Sequence, residues 1–105
     1  MKKYNNGNFT IKDINQNVEL YGWVHKIRKL GGMIFVLLRD KTGIIQLVFN
    51  ENTKKEIFVL AETLKNEYCI KVKGKIIKRI PEMINKSMPT GEVEVDIQGL
   101  EILNT

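Results

Sequence analysis

The sequence has 105 residues, which is enough for one hydrophobic core but too short for a core and a separate catalytic domain. Its 17 Lys and Arg residues against 12 Asp and Glu residues give a net charge of +5, which favours a polyanionic partner without identifying it. A single cysteine and a single histidine exclude an intrachain disulfide and a zinc site of the repeated Cys type.

The first half of the chain predicts a three-stranded meander. Alternating apolar and polar residues over 18–28, interrupted at Gly22, indicate one long, bent strand with a glycine bulge. A second strand follows over 33–39. The segment 40–43 then has the composition of a hairpin turn, and it leads into a third strand over 44–49.

The second half predicts one helix and two more strands. The segment 53–56 matches a capping box, and the apolar residues after it recur at helical spacing, which predicts a helix of about three turns. Alternation resumes at Tyr68 and predicts a fourth strand, followed by a long basic loop over 78–91. In a fifth strand from Val93 the apolar phase shifts by one residue at Gly99, as a bulge in a curved strand produces.

This order of elements predicts an all-β fold, a five-stranded Greek-key barrel of the OB type with one α-helix between strands 3 and 4. The glycines lie where strands of a small barrel must bend. An open β-sandwich is the alternative architecture, but it does not account for a single helix at that position.

The second and third strands place an aromatic ring and an amide on one outer surface. If alternate residues of these strands face the core, Phe35 and Gln46 become cross-strand neighbours outside the barrel. An outward Phe can stack an unpaired base for about 1–3 kcal/mol, and a Gln carboxamide complements the edge of uracil. Coverage of Phe35 by the terminal segment or by a partner is the alternative that stays open.

Charged residues accompany this pair. Arg28 has a planar guanidinium group suited to phosphates or bases, and His25 is either a surface residue or a phosphate contact. Glu94 is unusual on a face that binds a polyanion, but a carboxylate accepts both donors on the Watson–Crick edge of guanine. An ordinary outward-facing Glu94 is the alternative. No nucleophile with a base and no catalytic carboxylate pair occurs, so we predict no catalytic residues.

Several motifs follow one another in a specific order and spacing. They are Gly22-Trp23-Val24, Phe35, Leu38-Arg39-Asp40 with Gly43 and Gln46, Pro89-Thr90-Gly91-Glu92-Val93-Glu94, and Leu103-Asn104. Together they resemble the N-terminal anticodon-binding domain of bacterial-type aspartyl-tRNA synthetases, which are class II aspartate–tRNA ligases. The resemblance runs from about Tyr4 to Asn104.

The resemblance implies roles for individual residues at the anticodon. Phe35 would stack on the central uracil, Gln46 would hydrogen-bond it, and Arg28 would assist. Glu94 would read the first-position guanine or its queuosine derivative.

The resemblance also implies further contacts from the loop and the first strand. Arg79 and Asn85 fall where the family's loop between strands 4 and 5 reaches the anticodon, although 80–88 departs from the more polar family pattern. Lys26 and His25 stand where arginine is frequent, which keeps a phosphate contact without bidentate geometry.

By the same resemblance, residues 1–105 are a tRNA anticodon-binding OB domain of a larger enzyme, and the catalytic domain is absent from this fragment. The parent aspartate–tRNA ligase would attach aspartate to tRNA(Asp) with ATP and Mg²⁺ and would dimerise through the catalytic domain. We expect this fragment to need no cofactor or metal and to have no activity of its own.

Alternative functions stay open at this point. They are the equivalent domain of an asparaginyl or lysyl synthetase, a free-standing single-stranded nucleic-acid-binding OB protein, and a protein-interaction barrel. No apolar run reaches the roughly 18 residues of a membrane span and no signal-peptide centre occurs, so we expect a cytoplasmic protein without a membrane partner.

Overall fold

The strands of this chain close into a barrel. The structure is a computed structural model that describes residues 6–105. Its elements are β1 (Asn17–Leu30), β2 (Met33–Asp40), β3 (Gly43–Phe49), α1 (Lys55–Ala61), β4 (Cys69–Lys78) and β5 (Val93–Asn104), with short 3-10 turns at Asn6–Asn8, Ile11–Asp13 and Pro81–Met83. The strands are hydrogen-bonded in the closed order β1-β2-β3-β5-β4. The predicted five-stranded OB barrel with a helix between the third and fourth strands is therefore confirmed.

Alternate residues of the strands fill the interior of the barrel. In β3, Ile45, Leu47 and Phe49 are all 0% exposed, and Val36 and Leu38 of β2 are equally inaccessible. Burying each such side chain stabilises the fold by about 1.5–3 kcal/mol relative to leaving it in water. The period-two pattern of the sequence is thus the pattern of the core.

The helix is shorter than predicted. It spans 7 residues, or about two turns, and its N-cap residue Lys54 makes no side-chain capping bond. The Thr53 hydroxyl instead accepts a hydrogen bond from the Asn50 backbone N–H at 2.9 Å. The predicted capping box is wrong because this hydroxyl is used in the preceding turn.

Among residues 6–105, no helix combines the length and the apolar character needed to cross a membrane.

Register shifts interrupt the pairing of the long strands at three points, one between β1 and β2 and two between β4 and β5. The β1–β2 pairing skips His25, whereas Gly22 keeps regular pairing with β4, so the bulge predicted at Gly22 is wrong. Gly22 is needed for a different reason, because a Cβ there would overlap the backbone carbonyl of Arg39. The β4–β5 pairing skips Gln98, so the predicted slip beside Gly99 is confirmed.

The segment before β1 is tied to the β2–β3 hairpin. The Asp40 carboxylate accepts hydrogen bonds from the backbone N–H groups of Asn6 at 3.0 Å and Thr42 at 2.8 Å. The Thr42 hydroxyl accepts a further one from the Gly7 N–H at 2.9 Å. Burial acts to raise the pKa of Asp40, but the hydrogen bonds from Thr42, Asn6 and Gly43 outweigh it and leave the pKa below its usual value.

The close approach of β4 and β5 makes Gly74 a sensitive position. A Cβ at Gly74 would overlap the carbonyl of Asp96 and the side chain of Val95. We expect Gly74→Ala to lower the free energy of unfolding by about 1–3 kcal/mol, the usual cost of overpacking a core, in urea or thermal unfolding. Gly32→Ala is the matched control, since no atom lies within 4 Å of a Cβ there. Equal unfolding midpoints for the two variants would contradict this account.

Candidate nucleic-acid interface

A groove of about 280 Å³ lies on the outer surface of the barrel. One wall is formed by residues of β1, β2 and β3, and the other by the loop between β4 and β5. The lining residues are Lys26, Arg28, Phe35, Leu37, Gln46, Arg79, Glu82, Met83, Asn85 and Met88. This face and this loop are the surfaces with which OB folds hold oligonucleotides.

Phe35 and Gln46 both line the groove, but less openly than predicted. Phe35 is opposite Val48 and Gln46 is opposite Leu37, so the ring and the amide are diagonal neighbours and not a direct cross-strand pair. Phe35 lies outside the core cluster, on the outer face as predicted. The two side chains are nevertheless only 7% and 5% exposed, which corrects the prediction of an open ring.

Cations from β1 line the rim of the groove. The guanidinium carbon of Arg28 lies 5.8 Å from the centroid of the Phe35 ring, which is a cation–π contact. Lys26 and Arg28 are both exposed and both line the groove. His25 is exposed at the β1 bulge and does not line the groove, so the structure does not bring it to the other candidate residues.

Glu94 is buried beside Gln46. The two residues are partners in the parallel β3–β5 pairing, and Gln46 Nε2 donates a hydrogen bond to Glu94 Oε1 at 2.9 Å. Glu94 is only 8% exposed, so the alternative of an ordinary outward-facing Glu does not hold. Burial raises the pKa of Glu94, and the hydrogen bond from Gln46 and the charge of Arg79 oppose this rise.

Arg79 presents a buried guanidinium group at the groove. Its Nε donates to the carbonyl of Val93 at 2.9 Å and its Nη1 donates to the carbonyl of Met83 at 3.1 Å. Its Nη2 is buried and has no hydrogen-bond partner among the described residues. Burial lowers the pKa of Arg79, and repulsion by Arg28 lowers it further. The Glu94 carboxylate acts to raise it. A buried donor without an acceptor is costly, so a ligand acceptor at Nη2 would gain a strong hydrogen bond.

The β4–β5 loop is held in place by its own polar contacts. The Asn85 side-chain oxygen accepts hydrogen bonds from the Ser87 N–H at 3.0 Å and the Ser87 hydroxyl at 2.6 Å. Thr90, fully buried, donates its hydroxyl to the carbonyl of Ile44 at 2.6 Å and so ties the loop to β3. These contacts hold Asn85 on the groove wall.

Sequence reasoning missed Glu82 and Met88 on the groove wall and the anchoring role of Thr90. These residues lie in a loop without periodicity, and no pattern in the sequence assigns them to a face.

Comparisons with known proteins agree with this geometry. Residues 18–103 match the tRNA anticodon family model, described as an OB-fold nucleic acid binding domain. The chain is 52% identical over 100 residues to the aspartate–tRNA(Asp/Asn) ligase of Brachyspira hyodysenteriae, covering 95% of this chain and 17% of that protein. It is 47% identical over 91 residues to the aspartate–tRNA ligase of Staphylococcus haemolyticus, covering 87% of this chain and 16% of that protein.

A solved structure is also similar. The asparaginyl-tRNA synthetase from Pyrococcus horikoshii, complexed with asparaginyl-adenylate, superposes with a TM-score of 0.74 at 30% identity, over 90% of this chain and 20% of that one. The chain spans less than a fifth of the curated relatives that it matches. The resemblance predicted from the sequence is confirmed.

The raised pKa of Glu94 makes stability depend on pH. A carboxyl group whose pKa is raised by folding binds its proton more tightly in the folded state. The stabilisation of the folded state by this proton is therefore fully present below the ordinary pKa of Glu. It is lost as pH rises through the pKa that Glu94 has in the folded state. We expect the melting temperature of the natural chain, relative to that of Glu94→Gln, to rise as pH falls from 7 to about 4. Glu92→Gln, the same substitution at an exposed position, is the control, and an equal trend in both variants would contradict the burial argument.

Proposed function

This chain belongs to the tRNA anticodon family of OB-fold nucleic acid binding domains, and on that premise we propose that it binds the anticodon loop of tRNA(Asp). One observation carries the proposal. A single groove combines an aromatic ring from Phe35, an amide from Gln46 and an unpartnered donor from Arg79, with the Glu94 carboxylate bonded to the amide.

The ring and the amide suit an unstacked pyrimidine. Anticodon bases that leave the stack expose both their faces and their Watson–Crick edges. The Phe35 ring lines the groove and would stack on the base, while Gln46 has one acceptor and a second N–H besides the one bonded to Glu94. Arg28 and Lys26 add positive charge at the rim, where phosphates of the loop would lie.

The carboxylate and the guanidinium suit a purine with a guanine edge. Guanine carries two adjacent donors on its Watson–Crick edge and an acceptor beside them. Glu94 has accepting capacity beyond its bond to Gln46, and Arg79 Nη2 is a donor without a partner among residues 6–105. The Glu94 carboxylate would therefore accept from the two guanine donors, and the Arg79 guanidinium would donate to the guanine acceptor. Asn85, on the same wall as Arg79, is the proposed loop contact.

We further propose that the parent protein is a class II aspartate–tRNA ligase that attaches aspartate to tRNA with ATP in the cytoplasm, as a homodimer. The two ligases reported above support this, and their greater length leaves room for a catalytic domain outside the segment they share with this chain. Among residues 6–105, no group of three or more His, Cys, Asp or Glu side chains is placed to hold a metal ion. The proposed part of this chain in that reaction is recognition of the tRNA, which its anticodon family supports, and ATP and Mg²⁺ would serve the catalytic domain of the parent.

A second candidate is recognition of tRNA(Asn), which the likeness to an asparaginyl-tRNA synthetase favours. The tRNAs for aspartate and asparagine share their first two anticodon bases, and the tRNA for lysine shares only the central one. We expect stem-loops of tRNA(Asp) to bind about tenfold or more tightly than those of tRNA(Lys), in filter-binding titrations at fixed salt. Tighter binding of the tRNA(Asn) loop than of the tRNA(Asp) loop would favour the second candidate. Equal binding of all three would contradict both.

Replacement of the Phe35 ring tests the stacking role. Phe35→Leu keeps an apolar side chain on the outer face and removes the aromatic surface, so we expect the affinity for the tRNA(Asp) stem-loop to fall by about 1–3 kcal/mol. The control is Tyr21→Ala, which removes a 52% exposed ring on β1 that does not line the groove. Both variants are titrated below their melting temperatures. An unchanged affinity for folded Phe35→Leu would contradict base stacking on this ring.

A further inference from the structure

We propose that Glu94 is a positioning residue for Gln46, and that it fixes the Gln46 amide in the one orientation that reads uracil and rejects cytosine. This inference rests on the proposed function and deepens it. Gln46, proposed to read the central base, and Glu94, proposed to read the first base, form one hydrogen-bonded unit. The choice of the central base then depends on Glu94 as well as on Gln46.

The geometry leaves Gln46 one orientation. Gln46 and Glu94 are register partners on adjacent strands, and the bond between Gln46 Nε2 and Glu94 Oε1 is 2.9 Å long. An ionised carboxylate has no hydrogen to donate, so the amide atom facing it must be the nitrogen. Turning the amide over would set two acceptor oxygens against each other at a site where the two side chains are only 5% and 8% exposed. Water has little access there to relieve that repulsion.

The fixed orientation has a consequence for the central base. With one N–H of Gln46 held by Glu94, the amide can offer its oxygen as an acceptor and its second N–H as a donor to the groove. Uracil presents a donor N–H at ring position 3 beside a carbonyl acceptor, which is the complementary pattern. Cytosine presents an acceptor at ring position 3 beside an amino donor, which is the reverse pattern. An amide free to turn over would accept either base.

The charged groups around Glu94 maintain this arrangement. Arg79 at the end of β4 favours the charged carboxylate, and Asp96 on the same strand opposes it. Arg28 from β1 acts indirectly, through its repulsion of Arg79, and Glu82 brings a carboxylate to the groove wall. A protonated Glu94 would carry its own donor, and the Gln46 oxygen could then turn to accept it. The preference for uracil should therefore weaken in acid.

The experiment separates positioning from direct reading. Anticodon stem-loops are prepared with an abasic first position, so that Glu94 has no guanine to contact, and with uracil or cytosine at the centre. We expect the natural chain to prefer uracil by about tenfold or more, the usual discrimination of a two-point contact. In Glu94→Gln the ratio should fall toward one, because a carboxamide at 94 can both donate and accept. Glu92→Gln, an exposed residue with the same charge change, should keep the ratio of the natural chain.

A pH titration of the natural chain needs no variant and gives the second readout. The ratio of the affinity for the uracil loop to that for the cytosine loop should fall as pH is lowered. For Glu94→Gln the same affinity ratio should change only as far as the bases themselves titrate. One result would overturn the positioning role and leave anticodon binding intact. In it, Glu94→Gln keeps the affinity ratio of the natural chain at every pH and loses affinity only for loops that carry first-position guanine. Failure of the natural chain to prefer intact anticodon loops over unrelated loops would overturn the proposed function and the positioning role together.

Discussion

The parallel pairing of β3 with β5 is the constraint on which both the fold and the candidate site depend. It closes the barrel by joining a strand of the first half of the chain to the last strand, and it sets Gln46 beside Glu94. The same register sends Leu47 and Val95 into the core. Because side chains alternate across a strand, a slip by one residue would move the polar pair inward and the apolar pair outward. Core packing therefore holds the polar pair in place.

The charged groups of the groove have different surroundings from the lysines on β4. On β4, Lys71 and Lys73 lie 3.5 Å from the carboxylates of Glu101 and Glu19. Arg79, in contrast, is nine-tenths buried, and one of its nitrogens has no partner among the residues that the structure describes. Because desolvated charges interact more strongly than exposed ones, a buried charge in the groove would contribute more to ligand binding than an exposed lysine of β4.

Much of the fold was predictable because it follows from local patterns. Alternation placed the strands and assigned Phe35 to the outer face, and the phase shift beside Gly99 located a real bulge. Two local predictions were wrong because the same residue type serves more than one structural role. Thr53 before an apolar run resembles a helix cap but bonds to the preceding turn, and Gly22 resembles a bulge but provides clearance for a neighbouring carbonyl.

The sequence by itself determined the order of the strands and the helix, the core face of β2 and β3 and the family to which the chain belongs, because these depend on spacing along the chain. Only the tertiary structure decided which residues meet. Gln46 and Glu94 are 48 residues apart, and no periodicity links a loop residue such as Arg79 to a groove wall on another strand. The burial of Phe35 and the raised pKa of Glu94 likewise arise only when the barrel closes.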